Sequence, residues 1–405
     1  MKLPFVACIA GLAATVLLGA SAAFAQAQPP ARGEPASALT DHGDPNISAL
    51  VRRLRGPGSK RLVVTQLGDS HTAADFFTGQ LRRRLQADYG DGGIGWLPPM
   101  AVPGLLHEQA AIGTEGWTLL DSRSARDVDY PLGGLIARTG KAWSGSMVNA
   151  IREADRTDGW RMQLWLRGAP NDRPLAWRDA QERITPVPPV PGDGRWHAVA
   201  FPVRLPAILM VQQAPAYDLG GIVLERTRGS VLAPGAQVDA VGSNGVQAAF
   251  TDAWGADWMA MLRERNPDLV LLAFGTNEAH DWALDPARYQ ARLAELVGRL
   301  RATLPRAVLV LIGPPAQVSR AARNDPRCAT PLPASLNAVH EAQRRAARQA
   351  QTLYWDWQQA MGGPCSQPEW RAKGWAAEDG IHLTPEGYRQ AADRFRDELK
   401  RLSGI

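Results

Sequence analysis

The chain has 405 residues, more than one hydrophobic core commonly holds, so two domains or one elaborated domain are expected. With 45% apolar and 21% charged residues, the composition excludes a disordered or membrane-embedded protein. The formal net charge of +5 keeps acidic polymers near, but no dense Lys/Arg run marks a nucleic-acid face, so nucleic acid is not expected as a partner.

In chain order, Lys2 precedes an apolar run from Leu3 to Ala23 that closes on Ala23-Phe24-Ala25, the pattern of an export signal with an A-x-A cleavage site. Residues 1–25 are read as a signal peptide, with an uncleaved anchor helix as the competing reading because about twenty apolar residues span a bilayer. No membrane span is expected after cleavage. Cys8 would leave with the signal, and the remaining Cys328 and Cys365 permit one bridge. Such a bridge would close a loop of about 37 residues and contribute about 3 to 4 kcal/mol. Two free thiols are the alternative.

Residues 26–45 turn to Pro, Gly, Ala and Ser and read as a flexible leader. A short helix is predicted from Asn46 to Gly56 and a buried strand over Arg61–Leu67, followed by Gly68-Asp69-Ser70-His71 and a helix from Ala73 to Tyr89. Strand and helix then alternate downstream: strand Asp268–Phe274, helix Pro286–Leu304, strand Ala307–Ile312, helix Ala334–Gln349, strand Thr352–Asp356 and helix Pro385–Leu402. This rhythm predicts an α/β fold with a parallel sheet covered on both faces and ligands beyond the carboxyl ends of its strands. Residues 97–234 break the rhythm with short alternating segments, among them Arg161–Leu166 and Trp196–Phe201, separated by Pro/Gly clusters. They read as an inserted β-sandwich between the two parts, 46–96 and 235–405, of the α/β domain.

Three segments carry chemistry. Gly68-Asp69-Ser70 between strand and helix puts the Ser70 hydroxyl at the carboxyl edge of the sheet and its N–H at a helix start, where a nucleophile belongs. A serine hydroxyl needs a base and the base an orienting group. Asp379-Gly380-Ile381-His382 supplies both, ahead of a Thr384-Pro385 cap that fixes the loop. Phe274-Gly275-Thr276-Asn277-Glu278 ends a buried strand, and the Asn277 amide is a candidate oxyanion donor. A further backbone donor is expected from Val238 to Gly245, at Gly245 or, in competition, at Gly242.

Taken in this order, Gly68-Asp69-Ser70, Gly245, Gly275-Thr276-Asn277 and Asp379 to His382 resemble the SGNH/GDSL hydrolase superfamily. The resemblance implies a three-layer α/β/α sandwich with an inserted β-sandwich, a triad of Ser70, His382 and Asp379, and an oxyanion hole of the Ser70 and Gly245 N–H groups with Asn277. Gly68 to Phe77 and Asp91-Gly92-Gly93-Ile94-Gly95-Trp96, with the large β insertion, are similar to the Gram-negative peptidoglycan O-acetylesterases. That similarity implies an acetylesterase in the periplasm acting on an O-acetylated glycan, peptidoglycan acetylated at C6 of muramic acid, with an insertion like a carbohydrate-binding module. The competing functions are an acetyltransferase or acetylesterase of another exported polysaccharide, or a non-catalytic glycan-binding protein. No H-x-x-x-H, Cys pair or carboxylate cluster with ligand spacing is present, so no metal or cofactor is expected. His71 is read either as lining the site or as packing beside the helix, His280 and Asp281 as a solvated loop, and most of the 14 Trp as core.

Overall fold

The computed structural model describes residues 37–404 apart from 57–59, 141–142, 158, 169–174, 213–216 and 319–332. The signal peptide, residues 26–36 of the expected leader, and Cys328 lie outside the described residues. Cys365 is disulfide-bonded.

Near-continuous runs of β-branched and aliphatic residues suit strands buried on both faces. Five of them form the parallel core of a six-stranded sheet, in the order Leu39–Asp41, Leu353–Trp355, Val308–Ile312, Leu269–Ala273, Arg61–Gly68, Gly235–Gly242. The period of two sends alternate side chains to opposite faces. Leu67, Val270, Leu272, Leu309 and Leu311 meet helices Trp258–Arg265, Pro286–Thr303 and Leu336–Gln349. Leu62, Val64, Leu271, Val308 and Val310 meet helices Ile47–Arg55, Phe76–Tyr89 and Pro385–Ser403 on the other side. The result is a three-layer α/β/α sandwich.

Two expectations are corrected. Leu39–Asp41, inside the stretch read as leader, is an antiparallel edge strand on Leu353–Trp355, and Glu398 accepts a hydrogen bond from the Ala38 N–H at 3.0 Å. Its order comes from partners more than 300 residues away, which local composition does not reveal. The helix read from Ala73 to Tyr89 is two helices, Ser70–Ala73 and Phe76–Tyr89, broken at Asp75 with φ 55°. The buried Asp75 carboxylate pairs with Arg82 at 2.9 Å and accepts from the Glu108 N–H at 2.9 Å. Those charge-assisted bonds offset the left-handed backbone. They hold the Asp75 carboxyl far below the usual carboxylate range despite its burial.

Residues 95–232 build two antiparallel sheets. One has the order Ile184–Pro186, Ala176–Asp179, Ala207–Gln212, Trp143–Ala150, Ala110–Glu115; the other His197–Val203, Trp160–Arg167, Asp218–Arg228, Leu135–Thr139, Trp117–Asp121. Inner residues of both, Val148, Ala150 and Leu209 against Met162, Leu164 and Ile222, share one core, which makes a sandwich. The strand Gly95–Leu97 straddles the boundary expected at 96/97 and pairs with Asp218–Arg228. Trp96, Trp165 and Trp196 join Trp254 and Trp258 in the cluster that covers one face of the parallel sheet. The β-sandwich is thus fused to the α/β/α body through a common apolar core. Among the described residues, no helix is long and apolar enough to cross a membrane.

Candidate active site

Parallel register brings three strand ends together, because Gly68 lies opposite both Gly242 and Ala273. Their following loops carry Ser70, Gly245 and Asn277. Gly68 is required by close approach, since a Cβ there would overlap Thr72 Oγ1 and the Ala273 carbonyl oxygen. Asp69 caps the turn Ser70–Ala73, accepting from the His71 N–H at 3.0 Å, and its own N–H donates to Ala273 O at 3.2 Å. Burial pushes the Asp69 carboxyl up to about 6, against hydrogen bonds from His71 and Thr276 that lower it. Asp69 therefore ties the Ser70 turn to the strand end that leads into the Gly275–Asn277 turn.

Ser70 Oγ lies 2.9 Å from His382 Nε2, and His382 Nδ1 lies 2.6 Å from Asp379 Oδ2. The second Asp379 oxygen accepts from the N–H groups of Ile381 and His382, each at 2.9 Å, so one carboxylate shapes the loop and orients the ring. Partial burial raises the Asp379 carboxyl, but the His382 ring and the two N–H groups outweigh it and hold the group below its ordinary value. Thr384 caps the final helix by accepting from the Gly387 N–H at 3.2 Å and donates to Gly374 O at 2.7 Å. The Val318 N–H donates to Gly380 O at 3.0 Å and braces the loop from the other side.

His71 is 2% exposed and packs with Trp357, Tyr388 and the His382 ring, whose centroid lies 5.2 Å away. Its Nδ1 is 2.8 Å from the Tyr388 hydroxyl, and burial, reinforced by His382, pushes its pKa down to about 3. A neutral imidazole there supports the His382 ring without repelling a proton on it. Sequence reasoning overlooked Tyr388, whose place beside His71 comes from packing of the final helix rather than from a local motif.

Asn277 sits in the helical turn Thr276–Ala279, and its Nδ2 donates one proton to Val246 O at 2.7 Å, leaving the second free. Gly245, beside Val246, is exposed with φ 74°. Gly242 instead ends its strand against the nucleophile turn, where a Cβ would overlap the backbone of Thr72 and Ala73. His280 Nε2 lies 2.9 Å from Gln317 Oε1, and the Asp281 carboxylate accepts from the Ala283 N–H at 2.9 Å. Trp282, directly after these two loop positions, is 89% exposed. Sequence reasoning overlooked Glu278, which is buried and accepts from the Ala248 N–H at 2.7 Å. Among the described residues no cluster of three or more His, Cys, Asp or Glu is arranged to hold a metal ion.

A serine, a histidine and an aspartate presented from the carboxyl edge of a three-layer α/β/α sandwich define an acylhydrolase of SGNH/GDSL type. Residues 224–390 match the GDSL-like lipase/acylhydrolase family, and residues 92–208 match the N-terminal region of peptidoglycan O-acetylesterase. The solved structure described as "Peptidoglycan O-acetylesterase in action, 5 min" is 34% identical over 91% of this chain and 99% of that one, with a TM-score of 0.78. The chain belongs to the peptidoglycan O-acetylesterase family, and it is an acetylesterase of SGNH type rather than a non-catalytic glycan binder. More distant structures include a putative GDSL-like lipase from Parabacteroides merdae, 16% identical over 42% of this chain and 73% of that one, TM-score 0.32. Another is a family two carbohydrate esterase from Cellvibrio japonicus, 10% identical over 73% and 99%, TM-score 0.30. No curated protein sequence matches the chain.

Proposed function

We propose that this chain removes O-acetyl groups from peptidoglycan, at C6 of muramic acid, through an acetyl-enzyme on Ser70. The observation that carries the reading is the continuous relay from Ser70 Oγ to His382 Nε2 at 2.9 Å and from His382 Nδ1 to Asp379 at 2.6 Å. Ser70 Oγ attacks the acetyl carbonyl carbon while its proton passes to His382 Nε2. The ester C–O bond breaks, the C6 oxygen leaves with that proton, and the acetyl group stays on Ser70. Water, deprotonated by His382, then attacks the acyl-enzyme and releases acetate. Charge that develops on the carbonyl oxygen is held by the N–H groups of Ser70 and Gly245 and by the free Asn277 amide proton.

The substrate reading draws on the 34% identity to a peptidoglycan O-acetylesterase. On this reading the protein works in the periplasm after removal of residues 1–25. A carbohydrate-binding role for the β-sandwich draws on a cleft of about 640 Å³ with Arg183 and Thr185 exposed at its rim and the buried Trp160, Trp177 and Phe201 in its wall. The exposed Trp282, five residues beyond Asn277, offers a flat apolar face for a sugar ring. The test is acetate release from O-acetylated peptidoglycan compared with acetylated xylan, with and without an added sugar acceptor. Preferential release from peptidoglycan is expected. Equal or greater release from xylan would defeat the substrate reading, and transfer of acetyl to the acceptor in place of free acetate would make the protein a transferase.

A further inference from the structure

Both oxyanion donors that lie outside the nucleophile turn come from short, irregular pieces of chain. Gly245 is on the exposed turn between strand Gly235–Gly242 and the 3₁₀ helix Ala248–Ala253. Asn277 is on the single helical turn Thr276–Ala279. Neither piece is long enough to hold a donor within the few tenths of an ångström that transition-state stabilisation demands. Two hydrogen bonds join them. Asn277 Nδ2 donates to Val246 O at 2.7 Å, and the Ala248 N–H donates to Glu278 Oε1 at 2.7 Å. The two bonds run in opposite directions from adjacent residues of one turn to residues 246 and 248 of the other, so together they fix the separation of the two turns.

The second bond stands out energetically. Glu278 is 3% exposed, and its Oε2 is buried with no hydrogen-bond partner among the described residues. No Lys or Arg is paired with it among the described residues. Burial pushes its carboxyl up to about 7, with the nearby Asp69 adding to the shift against the hydrogen bonds from Ala248 and the local backbone. A carboxyl group kept in such a place, with one oxygen unpartnered, costs stability, and such a cost is a mark of functional sites. We propose that Glu278 is a positioning residue of the esterase reaction: through the Ala248 N–H it clamps the Gly245 turn against the Asn277 turn and so keeps the oxyanion hole in register. This rests on the reading of Gly245 and Asn277 as oxyanion donors. Glu278 itself touches no reacting atom.

The test uses the full chain with nitrophenyl acetate as substrate, and thermal melting on the same samples. Glu278→Ala removes the acceptor and is expected to lower kcat about 10- to 100-fold with KM changed less than about twofold, a fraction of the about 10²- to 10³-fold that loss of a whole donor costs. Glu278→Gln keeps an acceptor oxygen in the same place and is expected to restore kcat to within about threefold of the parent. Ala248→Pro deletes the donor from the opposite side. Gln247 before it already has extended backbone, φ −99° and ψ 167°, and position 248 opens the 3₁₀ helix, so the backbone there suits proline, and melting of the same sample checks that the buried site takes the ring. It is expected to reproduce the kcat loss of Glu278→Ala, which keeps the proposal testable if the alanine variant does not fold. Unchanged kcat in Ala248→Pro would overturn the proposal. So would a loss in Glu278→Gln as large as in Glu278→Ala, or a change carried by KM. Asn277→Ala in the same assay separates the two levels: unchanged kcat in that variant removes the oxyanion reading itself, whereas a kcat loss in Asn277→Ala beside a fully active Ala248→Pro removes the clamp alone.

Discussion

The buried Glu278 carboxyl makes stability depend on pH in a direction that can be worked out. Its ordinary value of 4.5 is raised to about 7 in the folded chain, chiefly by burial. Between those values the folded state holds a proton that the unfolded state has released, so stability falls as pH rises through that window and is level above it. A shift of this size corresponds to on the order of 3 kcal/mol. Glu278→Gln keeps the acceptor for the Ala248 N–H and removes the titration, so it should be more stable than the parent by on the order of 3 kcal/mol at pH 8 and nearly equal to it at pH 4.5. With an unfolding entropy of roughly 2.1 cal/mol/K per residue, that is roughly 4 °C in melting temperature for a chain of this size. Asp69, also raised by burial to about 6, titrates in both proteins, so comparing variants at each pH largely removes its contribution. The assay is calorimetric or fluorescence melting of both proteins across pH 4.5 to 8. A stability difference independent of pH would refute the reasoning, because it would mean that the carboxyl does not exchange its proton within the window.

Asn277→Ala should lower turnover of nitrophenyl acetate about 10²- to 10³-fold with little change in KM, measured by steady-state kinetics. Asp379→Asn should cost about 10⁴-fold in turnover, since an amide no longer fixes the His382 tautomer, while the protein melts close to the parent. Trp282→Ala should raise KM for O-acetylated peptidoglycan roughly five- to tenfold and leave nitrophenyl acetate kinetics unchanged; parallel changes on both substrates would remove the stacking role. Asp75→Asn should destabilise the chain by about 3 kcal/mol or more in denaturant unfolding, because it leaves the fully buried Arg82 without its charge partner.

Elements whose order is local were legible in the sequence. The strands at Arg61, Leu269 and Val308 are short apolar runs with turn residues at their ends, and the helices from Pro286 and Pro385 carry a cap and a proline at their starts. The candidate site was legible as three short motifs because each follows a strand end or precedes a capped helix. Distant partners decided what was missed. The break at Asp75 depends on Arg82 and the Glu108 N–H, and the edge strand Leu39–Asp41 on Leu353–Trp355. Glu278 looked like one more polar loop residue, since its burial comes from the turn at Ala248, thirty positions earlier in the chain. The shared core of Trp96, Trp165, Trp196 and Trp258 was equally hidden, and it makes point substitutions a sounder probe of the β-sandwich than its excision.

The proposed mechanism depends above all on Ser70 as the nucleophile, with its hydroxyl 2.9 Å from His382 Nε2. The most direct test is covalent labelling of the full chain with a fluorophosphonate, followed by peptide mass spectrometry of the parent and of Ser70→Ala. Stoichiometric modification of Ser70 in the parent, with none in the alanine variant, is the predicted result. Modification at another serine, or labelling that survives Ser70→Ala, would contradict the assignment and the mechanism built on it.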